Sequence, residues 1–169
     1  MRIILAAFAL LTATGTTAAE PEACPPAPTA PPPHFSSWSE PRALPSVTKA
    51  EDLEQAHFAA GEAVELQLHP DGEVAYQTLP QGAGEAKSFG GMARFSVTEA
   101  GLYSVGLGAF AWVDVVRNGV PQKTSTFGHG PECTGIRKVV SFQLEPGDYT
   151  LEISGNEQAS IRVLVGRAG

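Results

Sequence analysis

From Ala63 onward, apolar and polar residues alternate along the chain. Period two marks a strand with one face buried. The alternation predicts about eight strands: Ala63 to His69, Glu73 to Leu79, Met92 to Val97, Leu102 to Gly108, Ala111 to Arg117, Ile136 to Leu144, Tyr149 to Ser154 and Ser160 to Val165. Turn chemistry separates them, most clearly at Asn118-Gly119, because a two-residue hairpin turn of type I′ needs positive φ at both positions. Short strands at this spacing predict an all-β fold, an antiparallel β-sandwich of jelly-roll type.

The pattern also repeats once. Gly101-Leu-Tyr103-Ser-Val105-Gly-Leu107 matches Gly147-Asp-Tyr149-Thr-Leu151-Glu-Ile153 position for position, and each follows a strand ending in Phe95-Ser-Val97 or Phe142-Gln-Leu144. Two copies indicate one hairpin used twice within a fold, with each Tyr covering an end of the sandwich and its hydroxyl near water. Similar Gly-x-Tyr turns occur in carbohydrate-binding modules and pre-peptidase accessory domains, and the resemblance is one of architecture.

Upstream of Ala63 the alternation is missing. Residues Val47 to Gln55 suit either a short helical turn or an edge strand, while 21–33, PEACPPAPTAPPP, can form neither helix nor ladder and predict an extended polyproline-type tail. The first residues have the form of an export leader, with Arg2, the apolar run Ile3 to Leu11, and the small residues Thr17-Ala18-Ala19 before a cut near Glu20. That run is about half the ~20 residues of a bilayer span. The expected organisation is a signal peptide over 1–19, a Pro-rich tail over 20–35 and one sandwich domain over 36–169, in a periplasmic or secreted protein.

Composition fits one domain. A chain of 169 residues has room for a single core, and its 18 Gly and 14 Pro suit a turn-rich β fold. The formal charge is −7, and the eleven basic residues are scattered, so phosphate-rich partners such as nucleic acid are not expected. Envelope glycan or another protein remains as a partner class, and no transmembrane segment is expected.

Candidate chemistry gathers in Phe127-Gly-His129-Gly-Pro-Glu132-Cys133-Thr-Gly-Ile136-Arg137-Lys138. In an oxidising compartment the two cysteines, Cys24 and Cys133, are expected to form a disulfide that ties the Pro-rich tail to this loop. The competing reading makes Cys133 a metal ligand beside His129. His129 and Glu132 are three residues apart, and a second His from among His34, His57 and His69 would complete a two-His-one-carboxylate iron set. The plainer reading keeps His129 as a loop residue bonded to backbone. Asp114 shares a strand face with Trp112 and Val116, and is either solvent-facing or buried against Arg117 or Arg137. Trp38, Trp112, Phe110 and Tyr76 are the aromatics available to stack on a sugar ring, with core packing the alternative for Trp112. There is no nucleophile elbow and no predictable triad.

The leader, the Pro-rich segment with one Cys, the stretch Ala-Trp112-Val-Asp114-Val-Val-Arg117-Asn-Gly119, the loop around His129 and Cys133, and Ile136-Arg137-Lys138 together resemble a group of small exported bacterial proteins labelled homogentisate 1,2-dioxygenase. The resemblance spans most of the chain after the leader. It implies a non-haem iron dioxygenase that would use His129 and Glu132. The residues themselves favour a non-catalytic binding or accessory domain without a cofactor, for which His129, Glu132, Arg137, Trp112 and Asp114 are the candidate ligand contacts. A structural spacer in the envelope is the third possibility.

Overall fold

In a computed structural model, residues 24–83 and 87–168 are described. The leader reading falls outside them. The first of two sheets runs β1 (Arg42–Pro45), β3 (Ala63–Gln67), β12 (Ser160–Arg167), β6 (Gly101–Leu107), β10 (Lys138–Leu144) and β9 (Thr124–His129). The second runs β2 (His57–Ala59), β5 (Phe89–Val97), β11 (Gly147–Asn156), β7 (Trp112–Arg117) and β8 (Val120–Pro121), with β4 (His69–Pro70) also on β5. No helix among the described residues is long and apolar enough to cross a membrane.

The all-β expectation holds, with two corrections. Both sheets are mixed, because β1 pairs parallel to β3 and β2 parallel to β5. These two strands each bury a single side chain, Leu44 or Phe58, so neither leaves a readable period. The chain passes from one sheet to the other at Ser46-Val47, where Ser46 donates to the Gln67 carbonyl and Val47 bridges to Met92. A 3-10 turn over Ala50–Gln55 follows, so the helical reading of that stretch is the correct one for its second part.

The second correction is Glu73 to Leu79, which is not a strand. A 3-10 turn at Asp71–Glu73 leads into a strap that crosses the outer face of the second sheet. Its alternation has a different cause: side chains hold the strap down from beneath. Glu152 accepts from the Gln77 amide at 2.6 Å and from the Thr78 hydroxyl at 2.5 Å, while Gln77 Nε2 donates to Thr150 Oγ1 at 2.8 Å. Ser154 donates to the Gln81 carbonyl at 2.9 Å. Tyr76 donates to buried Asp71 and to the Ile153 carbonyl, and burial together with Asp71 holds its phenol well above the ordinary range.

Between the sheets, Leu66, Val105, Leu107, Val163 and Val165 meet Phe95, Val115, Leu151 and Ile153 in one core. Burying such side chains contributes roughly 1.5–3 kcal/mol each, so this layer outweighs exposed ion pairs worth at most about 1 kcal/mol. Arg42–Glu62 at 2.7 Å is such a pair. The outer face of the first sheet carries a smaller core, in which Phe35 and Trp38 of the turn Pro33–Ser39 pack with Ala63, Ile136 and Leu164. Gly166 permits this seating, since a Cβ there would fall 2.0 Å from the His34 carbonyl oxygen.

The repeated motif is two arches and not a hairpin. One copy leaves β5 in the second sheet and enters β6 in the first; the other leaves β10 in the first and enters β11 in the second. In each, a buried Tyr plugs the arch and donates to the carbonyl four residues earlier, Tyr103 to Glu99 at 3.0 Å and Tyr149 to Glu145 at 2.8 Å. Because β5 pairs with β11 and β6 with β10, the two arches interlock across both sheets.

Candidate binding cleft

The fold places the candidate residues in two hollows. Where β9 ends the first sheet and β7 nears the edge of the second, the seam between the sheets stays open. Two-residue β8 pairs only with Val116 and Arg117, so it stops short of Trp112–Asp114. The result is a cleft of about 1070 Å³ lined by Leu79 and Pro80 of the strap, Trp112 and Asp114 of β7, Phe127 of β9 and Lys138 of β10. Its apolar walls are unusually open, with Leu79 94%, Phe127 80% and Trp112 46% exposed. Large exposed apolar groups gathered in one place mark a contact surface more often than scattered ones do.

Two titratable groups, Lys138 and Asp114, line the cleft. Lys138 Nζ donates to the Ala111 carbonyl at 2.6 Å and lies 5.0 Å from the Trp112 ring centroid. Burial pulls its ammonium below the ordinary lysine range, with Asp114 opposing the shift. Burial likewise pushes the Asp114 carboxyl above the usual range, with Lys138 opposing. Asp114 is therefore half-buried and shares the cleft with Lys138, without an ion pair to it or to either of the arginines expected from sequence. Directly across the ladder from Asp114 is Glu152, fully buried beneath the strap. The Trp112 indole is wedged against the strap, for a Cβ on Gly82 would meet its Cδ1 at 2.2 Å.

The second hollow, about 930 Å³, lies beside the Cys24–Cys133 disulfide, whose Cα atoms are 5.4 Å apart. It brings together His129, Glu132 and Arg137 with Phe110 and Arg162. The Phe110 ring is edge-on to His129 at 5.7 Å, and Arg137 lies over its face at 5.6 Å. The tail runs along the rim, where the Thr29 amide donates to the Cys133 carbonyl at 2.8 Å. The loop closes on itself through Thr134, which donates to the Pro131 carbonyl and accepts from the Ile136 amide.

The five candidate contacts thus divide: Trp112 and Asp114 line the seam cleft, and His129, Glu132 and Arg137 line the hollow by the disulfide. Trp38 is core, and Tyr76 is occupied by Asp71. Among the described residues no three His, Cys, Asp or Glu side chains converge as a metal site requires. His57 instead contacts Ser96, and His69 contacts the Ser46 carbonyl. The residues present therefore do not fit the iron set that the dioxygenase resemblance implies. Cys133, bonded to Cys24, is not a free ligand.

No family description matches the chain, and no curated protein does. Among solved structures, it is similar to a β-glucosidase of Paenibacillus barengoltzii at 16% identity, with a TM-score of 0.28. The likeness covers 74% of this chain and spans 13% of that enzyme. At that level it carries no argument about this protein.

Sequence reasoning missed Lys138, Phe127, Leu79 and Glu152. Lys138 and Phe127 both stood within the loop stretch it singled out. Leu79 falls in a stretch whose alternation predicts a strand that does not form, and Glu152 occupies an alternate position between Thr150 and Ser154 that reads as solvent face.

Proposed function

We propose that this chain is an exported, non-catalytic binding or accessory domain, periplasmic or secreted, whose ligand occupies the seam cleft. One observation carries the reading: Trp112, Phe127 and Leu79 stand exposed in one open cleft that also holds the half-buried Asp114 and Lys138. Ligand sites are typically apolar concavities holding a few placed polar groups. Envelope glycan and protein are the two partner classes the composition leaves. Export is supported by the leader pattern and agrees with a disulfide.

The two tryptophans provide the test. Trp38 is buried and Trp112 is open, so a ligand in the cleft is expected to change Trp112 emission and shield it from acrylamide. The oxidised protein would be titrated with soluble peptidoglycan fragments and with extended peptides. A saturable change that disappears in Trp112→Phe supports the reading; a flat response to both ligand classes refutes it.

A further inference from the structure

Two strand edges open onto the seam cleft, and their backbone directions can be read from neighbouring hydrogen bonds. Gly130 donates its amide to the Arg137 carbonyl, next in register beyond His129 opposite Lys138. In an antiparallel pair, residues that exchange backbone bonds alternate with residues that do not. Gly128 and Thr126 therefore turn their backbone groups toward β10, and Phe127 and His129 turn theirs outward. On β7, the Val115 carbonyl accepts from the Gln122 amide, so Val115 faces the open side. The same alternation turns Val113 that way, beyond the end of β8.

Edge strands are usually blunted by charge, proline or a bulge, since an open edge is a template for pairing. β9 has a register shift opposite Ser141/Phe142, but the stretch Thr126–His129 beyond it is regular. All six residues of β9 are exposed, and it contains no Lys, Arg, Asp, Glu or Pro.

We propose that the ligand of the cleft is an extended peptide segment of another protein, added as a strand along β9. This rests on the cleft being the binding site. The incoming backbone pairs with the outward groups of Phe127 and His129. Alternate side chains of the peptide then point into the cleft, whose lining includes the apolar Phe127, Leu79, Trp112 and Val140. Strand addition draws affinity from main-chain hydrogen bonds and selectivity from pockets for alternate side chains. The edge carries no charge, and the one carboxyl and one ammonium of the cleft, Asp114 and Lys138, sum to no net charge, so the segment that fits is uncharged, with an apolar residue at every second position. A second copy of this chain fits less well. Its β9 would offer only Phe127 as a large apolar side chain for a cleft of about 1070 Å³, and the copies repel at a charge of −7 each.

The experiment uses the 15N-labelled oxidised protein and a capped hexapeptide alternating valine and threonine. Controls are the same peptide N-methylated at alternate backbone nitrogens, and a soluble chito-oligosaccharide. Saturable shifts of the 124–129 amides and of the Trp112 indole with the plain peptide only are the expected result. Phe127→Pro removes one outward donor from an edge where proline is tolerated, so it is expected to weaken binding about tenfold relative to Phe127→Ala, the effect of one hydrogen bond. Equal binding by the N-methylated peptide, or by the Pro and Ala variants, overturns strand addition. Shifts with the oligosaccharide alone overturn the peptide class and leave the cleft standing, whereas no response to any probe overturns both. Concentration-dependent shifts of 124–129 without ligand, with dimer in sedimentation, overturn it in favour of a second copy.

Discussion

Glu152→Ala is expected to lower the stability of the domain by about 3 kcal/mol while leaving the sandwich intact. The carboxylate is fully buried and accepts two bonds from the strap, from the Gln77 amide and the Thr78 hydroxyl. Hydrogen bonds to a charged group contribute about 1.5–3 kcal/mol each, which sets a gross loss of about 3–6 kcal/mol. Two effects reduce it. Gln77 and Thr78 are only partly buried, so their freed donors reach water, and the variant no longer holds a desolvated charge without a cation. With a urea slope of about 2 kcal/mol/M for a domain of this size, a loss of about 3 kcal/mol moves the midpoint down by about 1.5 M. Glu152→Gln keeps the shape and one acceptor and is expected to lose only about 1 kcal/mol. Amide exchange supplies an independent reading: protection at Gln77 is expected to vanish in the alanine variant and persist in the glutamine variant. If both variants unfold at the wild-type midpoint, the strap is not held by Glu152, and the cost of burying its charge cancels the bonds it accepts.

Other expectations follow from the disulfide and from the surface carboxylates. Cys24→Ser is expected to destabilise by less than the ~4.8 kcal/mol that chain entropy assigns to a loop of about 110 residues, because the freed tail regains motion in the folded state. Residues 24–30 are all exposed, and equilibrium urea curves of the variant and the oxidised parent measure the difference. Asp148 is held below the usual carboxylate range by Ser96 and then Arg94, and Glu62 by Arg42. Lowered carboxylates contribute stability that is present above their unfolded pKa and lost as pH falls through the folded value, so these two weaken the fold below about pH 4. Asp114 has the opposite sign, since its raised pKa takes stability away as pH rises from about 4 through its folded value. Melting temperatures from pH 2 to 7 are expected to show a shallower acid limb in Ser96→Ala and a steeper one in Asp114→Asn.

The core strands were legible because every second side chain of each enters the core between the sheets. Ala63–Gln67, Gly101–Leu107, Lys138–Leu144 and Ser160–Arg167 all fell where the alternation put them. The parallel strands β1 and β2 were not legible, having one buried residue apiece. β9 was invisible for another reason: it is exposed on every residue, and strand pairing along one edge imposes no hydrophobic period. The Gly-x-Tyr echo was read correctly as reuse and wrongly as a hairpin, because a turn that crosses between sheets uses the same glycine as one that returns within a sheet. At the cleft, the odd position of Asp114 in an apolar strand marks it, and Trp112 stands out as an aromatic available to stack. Lys138 could be paired with them only once β10 and β7 were seen to meet across the seam.

The disulfide also decides how the domain bears tension. Force entering through the tail at Cys24 passes directly to Cys133, and residues 25–132 lie in a closed bypass that carries none of it. Pulled between Cys24 and Ala168, the oxidised chain can pay out only the segment after Cys133, about 12 nm at full extension of roughly 3.5 Å per residue. Once reduced, the same pull reaches all the residues between, about 50 nm of chain at that spacing. The length of the loaded chain is therefore redox-dependent, and Pro25 to Pro33 join it only when the bond is open. While the bond is closed, the load falls on β10, β11 and β12, none of them an edge strand, and β1 and the strap carry none.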